Sequence, residues 1–212
     1  DLDGVIVNSE TEHFLSFQKM LRLDYGIDYT KEEDSEFLGT TDVHVFTLLK
    51  SRYPQIEEPL PKLIERRTEL FLSIFKERAK ILPGVESLFQ RTKSQNIPLA
   101  VGTSAARGVV GFILETLKLR HYFKTVVCAD DVKHGKPAPD IYLEVARRLG
   151  VPSKDCLVLE DSRYGVQAAK TAGMTCIAIP CGPTLKQDLS AADNIVNSAT
   201  DITPEILHSL SR

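Results

Sequence analysis

The sequence predicts an α/β fold, a doubly wound parallel-sheet core of Rossmann-like type interrupted by an inserted all-helical domain. Three observations carry this. Strand-like and helical stretches alternate from residue 98 to about residue 196, the order that builds a parallel sheet through helical crossovers. The runs at 156–159 and 176–179 are continuously apolar, as strands covered on both faces are. From 9 to 79 the apolar residues keep helical spacing and no strand signal intervenes. The core is therefore expected over residues 1–8 and 80–212, and the helical insert over 9–79.

In chain order, a helix is expected from Ser9 to about Tyr25, with Phe14, Phe17, Met20 and Leu21 on one face and Ser9 and Glu12 forming a capping box. Further helices are expected at 31–37, 41–52 and 60–80, the last with Leu70, Phe71, Ile74 and Phe75 on its apolar face. Leu82-Pro83-Gly84 punctuates the chain and opens a helix at about 84–95. Strands are then expected at 98–103, 125–129, 156–160, 175–180 and 194–196. Helices at about 106–118, 138–149, 164–173 and 204–211 separate or follow them. An apolar strand should deliver Asp1 to the sheet edge, so the first strand of the core is expected to be truncated in this sequence.

Composition narrows the function. The 212 residues carry 26 Lys and Arg against 29 Asp and Glu, a formal charge of -3. With no basic block and no interleaving of aromatic and basic residues, a nucleic-acid surface is not expected. No apolar run approaches the roughly 18 to 20 residues that span a bilayer, so a soluble, cytoplasmic protein, monomeric and without a membrane partner, is expected. Cys128, Cys156, Cys176 and Cys181 show no C-x-x-C spacing, which favours reduced, buried thiols over a metal or redox site.

In open parallel sheets ligands bind outside the carboxyl ends of the strands, and four places there carry chemistry. Asp1 and Asp3, followed by Gly4, are either a solvated acidic terminus or a pair of carboxylates converging on one point. Thr103-Ser104 ends a strand before a helix, where it is either a helix cap or an anion site at the positive end of the dipole. Lys136, within Gly135-Lys136-Pro137-Ala138-Pro139-Asp140, is either a solvated loop lysine or a cation held by a fixed backbone. Glu160-Asp161-Ser162 places two acids at the end of a buried strand, which is costly unless a cation or donors compensate. Together these are carboxylates, an ammonium, a hydroxyl and a helix N-terminus, a set suited to phosphoryl transfer with Mg²⁺ held by the carboxylates.

In order and spacing, Asp1-Leu-Asp3-Gly-Val, Thr103, Gly-Lys136-Pro-Ala-Pro-Asp and Glu160-Asp161-Ser resemble the four motifs of the haloacid dehalogenase superfamily. The pattern is similar to its β-phosphoglucomutase-like phosphatase branch, from Asp1 to about Pro180. The resemblance implies Asp1 as a nucleophile that forms an aspartyl-phosphate. Asp3 would be general acid and then base, with its backbone carbonyl on the metal. It implies Thr103 and Ser104 on the phosphate, Lys136 bridging nucleophile and phosphoryl group, and Mg²⁺ as cofactor held by Asp1, Asp3, Glu160 and Asp161. Asp3, where a dehalogenase has no need of an acid, argues for an alcohol leaving group.

The helical insert would be a cap that selects a small phosphorylated substrate. His13 on its first helix corresponds to a substrate-contacting histidine of the branch, or is a satisfied surface histidine. Leu38-Gly39-Thr40-Thr41-Asp42 resembles the specificity loop, with Gly39 and Thr40 as substrate contacts. A β-phosphoglucomutase has an arginine where this sequence has Asp42, and a carboxylate there would repel a second phosphate. Arg66 or Arg67 would supply a replacement cation, or both lie on a solvated helix face. The expected activity is a phosphatase acting on a sugar phosphate or similar metabolite. The alternatives are a hexose-phosphate mutase and a non-catalytic phosphate-binding module.

Overall fold

The computed structural model describes residues 1–37, 40–204 and 206. The chain divides into two compact units, Asp1–Asn8 with Ala79–Arg212, and Ser9–Arg78.

The Ser9–Arg78 unit is helical: α1 (Glu10–Tyr25), α2 (Lys31–Ser35), α3 (Asp42–Arg52) and α4 (Leu60–Arg78). Its core joins Phe14, Phe17, Met20 and Leu21 of α1 to Tyr29, Phe46 and Leu49, and to Leu63 and Leu70 of α4. The periodicity read from α1 thus marks its buried face. Phe71 and Phe75 of α4 are buried as expected, while Ile74 is only partly so. The capping box expected at Ser9 and Glu12 does not form. A capping hydroxyl needs extended backbone, and Ser9 has ψ 0° and makes no side-chain capping bond; Glu12 instead accepts from Arg78 Nε at 3.0 Å. A capping box closes α2, where the Glu33 amide donates to Thr30 Oγ1 and the Thr30 amide to Glu33 Oε2.

The other unit is α/β. After α5 (Val85–Ser94) come β1 (Leu99–Gly102), α6 (Arg107–Thr116), β2 (Phe123–Val127) and α7 (Asp140–Leu149). Then follow β3 (Leu157–Glu160), α8 (Arg163–Thr171), β4 (Thr175–Ala178) and β5 (Asn194–Ile195). Every pairing between these strands is parallel, β1 with β2 and β3–β4–β5 in order. Helix α7 packs on β1 and β2, and α8 on β3 and β4. Small residues let α8 approach closely: Ala168, Ala169 and Ala172 are buried against Val158, Cys176 and Ala178.

Strand β2 begins and ends about two residues earlier than the apolar run suggested. The Cys128 amide donates to the Asp131 carboxylate at 2.9 Å rather than to a neighbouring strand, and Ala129–Asp131 turns as a 3₁₀ helix. The expected helix at 204–211 falls mostly outside the described residues. The four cysteines are free thiols; Cys128 and Cys176 are buried, and Cys156 and Cys181 are half-buried. Among the described residues, no helix is long and apolar enough to cross a membrane.

Residues 1–8 are folded into the α/β unit by backbone bonds. The Asp1 nitrogen donates to Leu159 O at 2.8 Å, which sets Asp1 beside the end of β3. The Gly4 amide then closes a tight turn onto Val7 O, and the Leu82 amide bonds Ile6 O. Leu2, Val5, Ile6 and Val7 are all buried, so the turn that displays the two acids is anchored by apolar neighbours on both sides.

Candidate active site

The carboxyl ends of β1 and β3 lie on either side of Lys136. Its ammonium donates to Glu160 Oε1 at 2.5 Å, Asp1 Oδ1 at 2.8 Å and Gly102 O at 3.3 Å. An ammonium has three hydrogens, and these three acceptors account for them. One side chain thus ties together the first acid, the backbone just before Thr103, and the first acid of the Glu160-Asp161 pair. The Lys136 side chain is only 7 % exposed, so the solvated-lysine alternative is excluded.

Glu160 is fully buried and saturated with donors. Lys136 and the Tyr142 hydroxyl, the latter at 2.6 Å, reach Oε1; the amides of Asp161 and Ser162 and the Ser162 hydroxyl reach Oε2. Burial disfavours its charge, yet Lys136 and these donors outweigh burial and hold the carboxyl below the usual range. The packing leaves no slack. A Cβ built on Gly165, in the first turn of α8, would fall 1.8 Å from Glu160 Cδ, so only glycine leaves room for that carboxyl group.

Asp161 is treated differently. Burial, and then the charge of Glu160, push it up to about 7. It accepts one bond from the Thr184 hydroxyl at 3.2 Å. Gly4, at φ +78°, faces it so closely that a Cβ would lie 2.1 Å from Asp161 Oδ2. The glycine after the two acids is therefore needed for backbone conformation and for clearance together. Carboxylate oxygens of Asp1, Glu160 and Asp161 lie within 4.8 Å of one another. Three hard oxygen donors, one of them buried and short of donors, suit a divalent cation such as Mg²⁺. The Asp3 side chain is not part of that group; Asp3 pairs through its backbone with Val7.

Thr103 is buried, and its Oγ1 accepts from the Ala105 amide at 3.1 Å, while Ser104 is exposed. The N-terminus of α6 is not an open anion site throughout, because the Arg107 amide donates to the Asp130 carboxylate at 2.7 Å. Asp131 beside it binds Arg107 and Arg148.

In the helical unit, the solvated-face reading fails for one of the two arginines. Arg66 is exposed and pairs with Asp24 and Glu69. Arg67 is buried, ion-paired to Asp42 and bonded through Nη1 to His13 Nδ1 at 3.0 Å. The carboxylate at position 42 is thus neutralised within its own unit. His13 also stacks on Phe71 at 4.2 Å between centroids. Thr40 donates its hydroxyl to Phe37 O, and Gly39 lies outside the described residues.

Burial and the Arg67 charge lower the His13 pKa from 6.5 to about 3. A folded pKa below the unfolded one means that stability is complete above about pH 6.5 and is lost as the pH falls from there toward 3. At pH 5.5 the loss reaches up to about 1.4 kcal/mol, or roughly 3 to 6 °C in Tm for a chain of this size. Thermal melts at pH 7.5 and 5.5 check this: the Tm difference between wild type and His13→Gln should shift by that amount, and an unchanged difference contradicts it.

Sequence reasoning missed Tyr142, Thr184 and Asp130. Tyr142 had a usable signal, since a buried tyrosine in the first turn of a helix needs a partner for its hydroxyl; the other two come from segments that read only as polar loop.

Residues 1–179 match the haloacid dehalogenase-like hydrolase family. The chain belongs to that family. This hydrolase is 32% identical over 209 residues to a bifunctional riboflavin kinase/FMN phosphatase of Arabidopsis thaliana, covering 97% of this chain and 54% of the relative, so it spans about half that protein's length. It is 33% identical over 179 residues to a fructose-1-phosphate phosphatase of Escherichia coli strain K12, covering 84% of this chain and 93% of the relative. Among solved structures, a putative β-phosphoglucomutase from Thermotoga maritima superposes with a TM-score of 0.82 at 32% identity, covering 99% of this chain and 96% of that one.

Proposed function

We propose that this hydrolase is a Mg²⁺-dependent phosphatase that cleaves a small phosphorylated metabolite, a sugar phosphate above all, through an aspartyl-phosphate on Asp1. The observation that carries the reading is Lys136 donating to Asp1 and Glu160, two of the three convergent carboxylates. Asp1 Oδ would attack phosphorus while Lys136 offsets charge on the nucleophile and the transferring group. Asp3 would protonate the leaving alcohol and then take a proton from the attacking water. Thr103 and Ser104 would hold phosphate oxygens. Asp1, Asp161 and the Asp3 backbone carbonyl would hold the ion. Glu160, with both oxygens occupied by protein donors, would hold it through water. Bound there, Mg²⁺ supplies charge neutralisation of the phosphoryl oxygens.

Residues 1–8 and 80–212 would form the catalytic core and residues 9–79 the cap, with His13, Gly39 and Thr40 contacting substrate. The names of the phosphatase relatives support the reaction class. The likeness to a putative β-phosphoglucomutase keeps a mutase as the second reading, but the Asp42–Arg67 pair disfavours it. It places a carboxylate at the position of the mutase arginine and takes up the charge of the buried Arg67. The complete set of acids and the paired lysine disfavour a non-catalytic module. A screen of phosphorylated metabolites with Mg²⁺ tests the reading through release of inorganic phosphate. Conversion of β-glucose 1-phosphate, with a bisphosphate primer, to glucose 6-phosphate without free phosphate would establish the mutase instead.

A further inference from the structure

We propose that Tyr142 is a positioning residue of this site: its hydroxyl shares Glu160 Oε1 with Lys136 and so keeps the ammonium extended toward Asp1. Tyr142 sits in the first turn of α7, 3 % exposed, and its hydroxyl donates to Glu160 at 2.6 Å, the short range expected of a bond to an ionised acceptor. Its ring lies beneath the same lysine, with Nζ 4.9 Å from the centroid, close enough for a cation–π contact. The residue therefore touches both members of the pair, one through the hydroxyl and the other through the ring.

The consequence follows from counting donors. Glu160 Oε2 is filled by two amides and the Ser162 hydroxyl, so Oε1 is the oxygen that meets the lysine. With the tyrosine hydroxyl present, part of the Oε1 lone-pair density is taken, and the ammonium divides its hydrogens among Glu160, Asp1 and Gly102 O. Without it, Oε1 has Lys136 as its sole partner. A buried carboxylate oxygen that loses a donor is left under-satisfied and becomes the stronger competitor for the ammonium, so Lys136, already 2.5 Å from it, would turn toward Glu160 and away from Asp1.

The kinetic consequence rests on the phosphatase reading, whereas the geometric one does not, and the experiment separates them. Tyr142→Phe removes the hydroxyl and keeps the ring; Tyr142→Leu removes both. Crystal structures of wild type and Tyr142→Phe would be solved, and p-nitrophenyl phosphate hydrolysis with Mg²⁺ measured alongside thermal melts. The expected result is a Lys136 Nζ to Asp1 distance beyond about 3.5 Å in Tyr142→Phe, kcat lower by about tenfold, KM within about twofold, and a further loss of kcat in Tyr142→Leu. Lys136 still bonded to Asp1 in Tyr142→Phe, or kcat within about twofold of wild type, overturns the proposal. So does a loss of rate that only tracks the fraction of folded protein. If the lysine moves as expected but wild type releases no phosphate from p-nitrophenyl phosphate or from any metabolite of the screen, the positioning role stands and the phosphatase reading falls.

Discussion

Replacing Asp1 with asparagine is expected to lower Mg²⁺-dependent phosphate release by about a thousandfold or more, the scale seen when a covalent nucleophile is removed, with the fold retained. Asparagine is nearly isosteric and keeps an oxygen for Lys136 to donate to, so the Asp1 backbone bond to Leu159 and the buried residues of the turn are undisturbed. What is lost is the anionic oxygen that attacks phosphorus, together with one of the three carboxylates that converge on the cation position. Steady-state hydrolysis of p-nitrophenyl phosphate with and without Mg²⁺ measures the first loss, and a thermal melt checks the fold. Full activity in Asp1→Asn would remove Asp1 from the chemistry.

Lys136→Met is expected to fail in two ways at once. Methionine fills most of the lysine volume, but Glu160, fully buried, keeps its charge and loses its cation. Breaking a buried pair from one side costs about 3 to 5 kcal/mol, or roughly 6 to 20 °C in Tm for a chain of this size. Activity should fall by about a thousandfold or more, as when a cation is removed from a phosphoryl-transfer site. The double variant Lys136→Met/Glu160→Gln separates the effects, because removing both charges relieves the unpaired carboxylate without restoring a cation. Its Tm should recover much of the loss while its activity stays low. Equal melting temperatures for the single and double variants would contradict the buried-pair reading.

The alternation of strands and helices and the clustering of acids, lysine and threonine at strand ends were legible because they rest on local periodicity and on residue types with few alternatives. Strand β3, as Leu157–Glu160, delivers Glu160 to the lysine much as its apolar run and terminal acid imply. Most of the misses share one cause, long-range partners invisible in local spacing. Glu12 follows Ser9 at capping distance but turns to Arg78, sixty-six residues away. Arg67 reads as a solvated cation until Asp42 and His13 are brought to it. The end of β2 is the local exception, where Asp131, three residues on, captures the Cys128 amide. Tyr142 belongs to the site because α7 packs across β1 and β2 and its first turn reaches Glu160, a fact of tertiary packing rather than of motif.

Covalent capture on Asp1 is the decisive test. In Asp3→Asn, p-nitrophenyl phosphate supplies a leaving group so weakly basic that it departs without protonation, so the first step needs no acid, whereas water attack on the second step has lost its base. Acid quenching during turnover, borohydride reduction of the acyl phosphate and peptide mapping should then find the modification on Asp1. A label at another residue, or turnover with no phosphorylated protein at any time point, would contradict the two-step route.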